Sequence, residues 1–267
     1  MEVPMKGQTL FGLDGRVAFV SGAAGHLGRQ MAFALGAAGA KLIINGRNAA
    51  RLSAFASELN GAGIAVECAA FDMMDFAAVR NFFAARPRLD ILINNAVTMA
   101  PKALSDVTPE DFDVTYQSAV TAAFEAVRAA RPALTRAASA TGDASVINIA
   151  TMYASVSPDP KLYSEPGQMS PPHYGAAKAG LVQLTRHLAA ELGPCAIRVN
   201  ALAPGPFPRE EVAANDPKFA ARLAARTMLG RTGRPEEIAG PVLFLASPAS
   251  SYVTGAVLAA DGGWTAW

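Results

Sequence analysis

Tyr174 and Lys178 stand four residues apart in Tyr174-Gly-Ala-Ala-Lys178, the spacing that sets two side chains on one face of a helix. A free phenol titrates near pH ~10, and a neighbouring ammonium favours its phenolate. Such a pair can exchange a proton with an alcohol or carbonyl oxygen, and the lysine can also bind a ribose hydroxyl. The same spacing equally fits two exposed side chains on an ordinary helix, so its meaning depends on what surrounds it.

The second chemical feature is Ser21-Gly22-Ala23-Ala24-Gly25-His26-Leu27-Gly28. It lies between an apolar run, Val17 to Val20, and a helical pattern from Leu27 to Ala38. Glycines between a first strand and a first helix let the backbone approach a pyrophosphate held at the helix amino terminus. Gly22, His26, Leu27 and Gly28 are therefore candidate cofactor residues; the alternative is a plain glycine-rich turn. About 20 residues further on, enzymes that use NAD often carry an acid for the ribose hydroxyl. Here the chain reads Asn45-Gly46-Arg47-Asn48. Without an acid to repel it, the extra phosphate of NADP has room at Gly46 and a forked donor in Arg47. NADP is the expected cofactor and NAD remains possible, since Arg47 could instead cap a surface turn or stack on adenine.

These side chains need a scaffold, and the chain alternates strand and helix patterns throughout. Strands are expected at Val17 to Val20, Lys41 to Asn45, Ile64 to Ala70, Ile91 to Ile93, Val146 to Ile149, Ile197 to Asn200 and Val257 to Ala259. Helices are expected at Ala49 to Leu59, Phe76 to Ala84 and Gly175 to Leu192, with a long one from Pro109 toward Arg131 capped by Thr108. Each parallel crossover needs a helix, which argues for an α/β fold, a doubly wound parallel sheet of about seven strands in a single Rossmann domain over residues 1–267. Two segments break the alternation, Ser155 to Pro172 and Pro204 to Pro217. Both follow a strand, and both are expected as loops over the ligand crevice at the carboxyl ends of the strands.

Composition narrows the function classes. Of 267 residues 51% are hydrophobic and 17% charged, enough for a large core and too apolar for disorder. Lys and Arg number 23 against 22 Asp and Glu, which gives no electrostatic reason to expect a nucleic-acid partner. Cys68 and Cys195 are far apart and suggest neither a disulfide scaffold nor a metal site. Met1 to Gly12 reads as neither signal peptide nor anchor, and no apolar run has the length of a membrane span. A cytoplasmic protein acting on a small molecule is the expectation.

Together the pieces resemble the short-chain dehydrogenase/reductase family, from Leu13-Asp14-Gly15-Arg16 to Asp261-Gly262-Gly263. The stretches that carry the resemblance include Ser21 to Gly28, Phe71-Asp72, Asn94-Asn95-Ala96, Val146-Ile147-Asn148-Ile149, the Tyr174 to Lys178 segment, Arg198-Val199-Asn200, Ala203-Pro204-Gly205, Gly233-Arg234-Pro235-Glu236-Glu237 and Tyr252-Val253-Thr254-Gly255. The resemblance implies hydride transfer at nicotinamide C4 between NADP(H) and a secondary alcohol or ketone. It implies Tyr174 as general acid or base, Lys178 on the nicotinamide ribose, and Thr151 as the hydroxyl that orients the substrate. It further implies Asp72 and Met73 near the adenine, Asn95 and Ala96 near the adenosine ribose, and Pro204, Gly205 and Phe207 around the nicotinamide. A homo-oligomer, tetramer or dimer, is also implied.

Four departures from the family pattern bear on function. Thr151 stands where serine is usual; it keeps the hydroxyl with fewer rotamers. Ala119 stands where an asparagine in the long helix usually serves a water in the proton relay; Ser118 or Gln117 could partly substitute, and Asn at 119 is expected to raise turnover or leave it unchanged. This departure motivates the alternative of a dinucleotide-binding protein with little catalysis. The Ser-Gly-x-x-Gly-x-x-Gly spacing also matches sugar-nucleotide epimerases, which usually need a longer carboxy-terminal part. Asp159 to Gln168 looks like a proline-stiffened insertion bordering the substrate. His173 is read as a turn or packing residue, and Trp264 and Trp267 as core or subunit-contact residues. A substrate lining of Val97, Met99, Met152, Tyr153 and Phe207 would favour a cyclic or aromatic carbonyl.

Overall fold

In the first strand, β1 (Val17–Val20), alternate residues face opposite sides: Ala18 and Val20 pack into one hydrophobic cluster, and Phe19 into another. The computed structural model describes residues 10–267, so most of the Met1 to Gly12 segment lies outside it. The same division runs through β2 (Lys41–Gly46), where Leu42 and Ile44 oppose Ile43, and β4 (Ile91–Asn94), where Ile91 and Ile93 oppose Leu92. It recurs in β5 (Ala144–Ile149), where Ile147 and Ile149 oppose Val146, and in β6 (Ile197–Pro204), where Leu202 opposes Val199. A strand with apolar residues on both faces needs a cover on each side, and helices supply it.

With β3 (Val66–Ala70) and β7 (Val257–Ala260) the sheet has seven parallel strands in the order β3-β2-β1-β4-β5-β6-β7. One cluster joins the sheet to α1 (His26–Ala37) and α2 (Ala49–Gly61); the other joins it to α3 (Phe76–Ala84) and to the long helical segment after Thr108. Strand order reverses between β1 and β4, so the loops after these two strands diverge and leave a crevice between them. Side-chain caps fix the helix starts: Asn48 accepts the Arg51 N–H at 2.9 Å, and Asp75 accepts those of Ala77 and Ala78.

The helix expected from Pro109 to Arg131 is interrupted. It runs as α4 (Pro109–Tyr116), opened by a capping box of Thr108 and Asp111, then a π turn at Gln117–Thr121, then α5 (Ala122–Thr141). The helix carrying Tyr174 begins earlier than expected, as α6 (Pro172–Leu192), with proline at its first position. Three helices lie where none was expected: α7 (Glu210–Asn215), α8 (Pro217–Ala225) and α9 (Ala239–Ala246). In α9, Ala-Gly-Pro-Val-Leu-Phe-Leu-Ala is apolar nearly throughout, so it has no polar face to mark a helical period. Among the described residues no helix is long and apolar enough to cross a membrane, and no group of three or more His, Cys, Asp or Glu is placed to hold a metal.

Candidate active site

A crevice of about 860 Å³ opens at the carboxyl ends of the strands where the order reverses. It brings together Gly22, His26, Leu27, Gly28, Arg47, Asp72, Met73, Asn95, Ala96, Thr151, Tyr174, Lys178, Pro204, Gly205 and Phe207.

The glycine loop forms a cradle. Gly22 adopts φ +61°, open to glycine at little cost, and a Cβ on Gly28 would meet the Gly22 carbonyl oxygen at 2.3 Å. The loop is sutured to the segment after β4. Ser21 Oγ accepts the N–H groups of Asn95 (2.8 Å) and Ala96 (3.0 Å), and Asn95 Nδ2 donates to the carbonyls of Ser21 and Gly22. Helix α1 opens at Gly25 with no side-chain cap and no acid in its first turn. Its free N–H groups and positive dipole end thus face the crevice unneutralised, which fits a pyrophosphate.

At the far end, Asn45 is buried and donates to the carbonyls of Ala69 and Phe71, so it serves the sheet. Asp72 turns one oxygen to the Met74 N–H at 2.9 Å and holds the other 3.7 Å from Arg47. Arg51, in the first turn of α2, joins Arg47 at the wall. Two guanidinium groups at the end of β2 fit a phosphate ester on the ribose.

At the chemical end, Tyr174 is half-buried and Lys178 fully buried on the same face of α6. Lys178 Nζ lies 5.9 Å from the Tyr174 ring centre and donates to the Ile149 carbonyl. Burial lowers the Lys178 pKa to about 8. Burial also raises that of Tyr174, while a hydrogen bond from the Thr151 hydroxyl opposes the rise. In the cofactor-free site desolvation thus favours the protonated phenol, against the eased ionisation expected from the neighbouring ammonium. Behind them, Asn148 on β5 accepts from Asn94 and donates to Thr185 of α6, fastening the helix to the sheet.

Some expected neighbours are elsewhere. Met152 and Tyr153 leave the crevice: Met152 packs with Leu162, Leu223 and Trp264, and the Tyr153 hydroxyl meets that of Tyr163 at 2.9 Å. The Asp159 to Gln168 segment contributes no crevice residue. It braces α8, with Arg222 Nε donating to the Leu162 carbonyl at 2.6 Å and the Tyr163 ring tilted against Phe219 at 5.5 Å. Apolar residues in an insertion pack where they find apolar partners, and Leu162 finds them in Trp264 and Leu223. Ala119 is buried among Val120, Ala123, Ala177 and Leu181, away from the crevice. His26 Nε2 lies 3.1 Å from the Phe207 carbonyl oxygen, so the ring ties two loops together. The sequence reading missed Arg51, Thr98 and Arg209 in the lining, and named Ser118 only as a partial substitute for an asparagine at 119. Arg51 stands four residues after Arg47, at the start of the helix expected from Ala49, a signal that was available; the others reach the crevice through irregular backbone.

A family model described as Enoyl-(Acyl carrier protein) reductase matches residues 22–265. Galactitol 2-dehydrogenase (L-tagatose-forming) of Cereibacter sphaeroides is 38% identical over 97% of this chain and 99% of its own. The chain belongs to the short-chain dehydrogenase/reductase family. It is thus an oxidoreductase by descent, with the doubly wound fold of that family. Among solved structures, a Pseudomonas aeruginosa RhlG/NADP active-site complex superposes on this short-chain dehydrogenase/reductase with a TM-score of 0.86, at 35% identity over 96% of this chain and 99% of the other. A gluconate 5-dehydrogenase from Burkholderia cenocepacia in complex with NADP and tartrate gives 0.85, at 30% identity over 98% and 100%.

Proposed function

We propose that the whole chain acts as one dinucleotide-binding and catalytic domain that moves a hydride between NADP(H) and a secondary alcohol or ketone, through Thr151, Tyr174 and Lys178. The observation that carries this reading is the convergence of these three residues and the glycine cradle on one crevice. Bound NADP supplies the hydride donor or acceptor. The uncapped start of α1 would hold the pyrophosphate, Arg47 and Arg51 the additional phosphate, and Lys178 a ribose hydroxyl.

Thr151 and Tyr174 then bracket the substrate oxygen. With its proton on, Tyr174 can donate to a carbonyl oxygen as it becomes an alkoxide, the proton transfer that reduction needs. Oxidation demands loss of the phenolic proton first. The substrate side carries Thr98, Ser118 and Arg209 as well as Val97, Met99 and Phe207, and two of the relatives are named for polyol and sugar-acid oxidation, while others are named for 3-oxoacyl and cyclohexane substrates. With those polar groups in the wall, a compact polyhydroxy alcohol or its ketose fits better than the cyclic or aromatic carbonyl suggested by the apolar lining alone. A cytoplasmic homo-oligomer belongs to the same reading.

The test is NADPH oxidation against a panel of ketoses, keto-acids and cyclic ketones, with Tyr174→Phe as control. Turnover on ketoses, reduced about 10²- to 10⁴-fold in the variant, is expected. Tight NADPH binding with no turnover on any carbonyl would favour the cofactor-binding alternative.

A further inference from the structure

Thr98 lies in the crevice wall between Val97 and Met99, and its peptide is gripped on both sides. Ser118 Oγ accepts the Thr98 N–H at 3.0 Å, and its own proton has the carbonyls of Thr115 (3.1 Å) and Thr98 (3.3 Å) within reach. Thr115 Oγ1 donates to the Thr98 carbonyl at 3.2 Å. His173 Nδ1 meets the same Thr115 oxygen at 2.9 Å. A Thr115 proton given to that carbonyl, which only accepts, makes Nδ1 the protonated ring nitrogen and the donor. His173 Nε2 is then a buried lone pair without a partner, and burial lowers the pKa of the ring, which keeps it neutral.

Four residues thus form one chain of hydrogen bonds, from the residue next to Tyr174 to the wall opposite it. Ser118 belongs to the π turn at Gln117–Thr121. Such turns are poor in regular helices and recur where a helix must present a group at a functional site. Here the widened turn brings Ser118 to the crevice, while Ala119 beside it faces the apolar cluster.

We propose that Ser118 and Thr115 are positioning residues: they clamp the Thr98 peptide, and with it the wall against which the substrate rests. Through His173 they fix the start of α6 and so the height of Tyr174 in the crevice. Ser118 supplies, from one residue earlier, the polar anchor that the chain lacks at Ala119. The inference rests on the catalytic reading above for its consequence, but not for its geometry.

The experiment compares Ser118→Ala, Thr115→Val and Thr115→Ser with the wild-type protein. The readouts are kcat and KM for a ketose, the NADPH Kd by fluorescence, the Tm, and amide hydrogen exchange at Thr98. Ser118→Ala and Thr115→Val are expected to lower kcat/KM about tenfold, the effect of losing one hydrogen bond that positions the wall. Both should speed Thr98 exchange while NADPH Kd and Tm stay near wild type; Thr115→Ser, which keeps the hydroxyl, should restore both. Unchanged Thr98 exchange in the two hydroxyl-deleting variants would overturn the clamp. So would losses that follow Tm in every variant, Thr115→Ser included. A wild-type protein that turns over nothing would sink the catalytic reading instead, and Thr98 exchange would still decide the clamp.

Discussion

His26 and Phe207 are 181 residues apart in sequence, yet the imidazole Nε2 of one lies 3.1 Å from the backbone oxygen of the other. A carbonyl oxygen only accepts, so Nε2 carries the proton and donates. The bond spans the crevice from the start of α1 to the segment after β6, across the place proposed for the pyrophosphate and nicotinamide. Removing the ring by His26→Ala should leave the fold intact and weaken NADPH binding by about three- to tenfold, since one hydrogen bond contributes roughly 0.5–1.5 kcal/mol. Fluorescence titration measures it; unchanged affinity would mean that the two loops are held by other contacts.

Lys178 yields a prediction about stability with a definite sign. Lys178 is 2% exposed, and burial brings its ammonium down to about 8 from the ordinary lysine value of 10.5. Between those values the unfolded chain binds more protons than the folded one, so stability rises as pH increases through the window. Below about pH 8 the full cost of burying the charge is present. Lys178→Met should therefore stabilise the cofactor-free protein at pH 7, by up to ~3 kcal/mol less the lost bond to Ile149, and the gain should fade toward pH ~10.5. Urea unfolding at both ends of the range is the measurement, and a gain independent of pH would contradict the assignment. Turnover should fall in the same variant.

Coenzyme choice turns on the pair of guanidinium groups at the end of β2. The Arg47 contact with Asp72 is long, at 3.7 Å, and both side chains are solvent-accessible, so breaking it costs little. The arginine is thereby free to turn to a phosphate. Arg47→Ala and Arg51→Ala should each weaken NADP binding by roughly 1.5–3 kcal/mol, the range for hydrogen bonds to charged groups, and leave NAD binding nearly unchanged. Parallel titrations with both coenzymes decide it; equal losses for NAD and NADP would place the arginines on the adenine or elsewhere.

The strands and the glycine cradle were legible because their signals are local. Seven apolar runs of strand length, each followed by a turn or helix signal, leave few alternatives to a parallel sheet. The convergence of Tyr174, Lys178 and Thr151 on one crevice follows from strand ends and helix starts that the motifs mark. What the sequence hid was determined by tertiary partners. Met152 and Tyr153 follow Thr151 directly, yet Met152 is drawn toward Trp264 and Tyr153 toward Tyr163, because the insertion supplies Leu162 and Tyr163 as packing partners. The apolar helix α9 lacks a polar face and so lacks a period. The break at Gln117–Thr121 has no proline or glycine to announce it.

That break also reverses an expectation. Read from sequence, asparagine at 119 should help turnover or do nothing. In the structure the Ala119 side chain is 3% exposed and packs with Val120, Ala123, Ala177 and Leu181, while the polar contact to Thr98 is made by Ser118. An amide forced into that cluster loses its water without gaining a donor or acceptor, at a cost of about 1–3 kcal/mol on mutational scales. Ala119→Asn should therefore lower the urea midpoint and give no gain in kcat. The double variant Ser118→Ala with Ala119→Asn should be no faster than Ser118→Ala alone. A faster double variant, with its urea midpoint preserved, would mean that the added amide reaches the crevice wall and that the turn at 117–121 can present either residue.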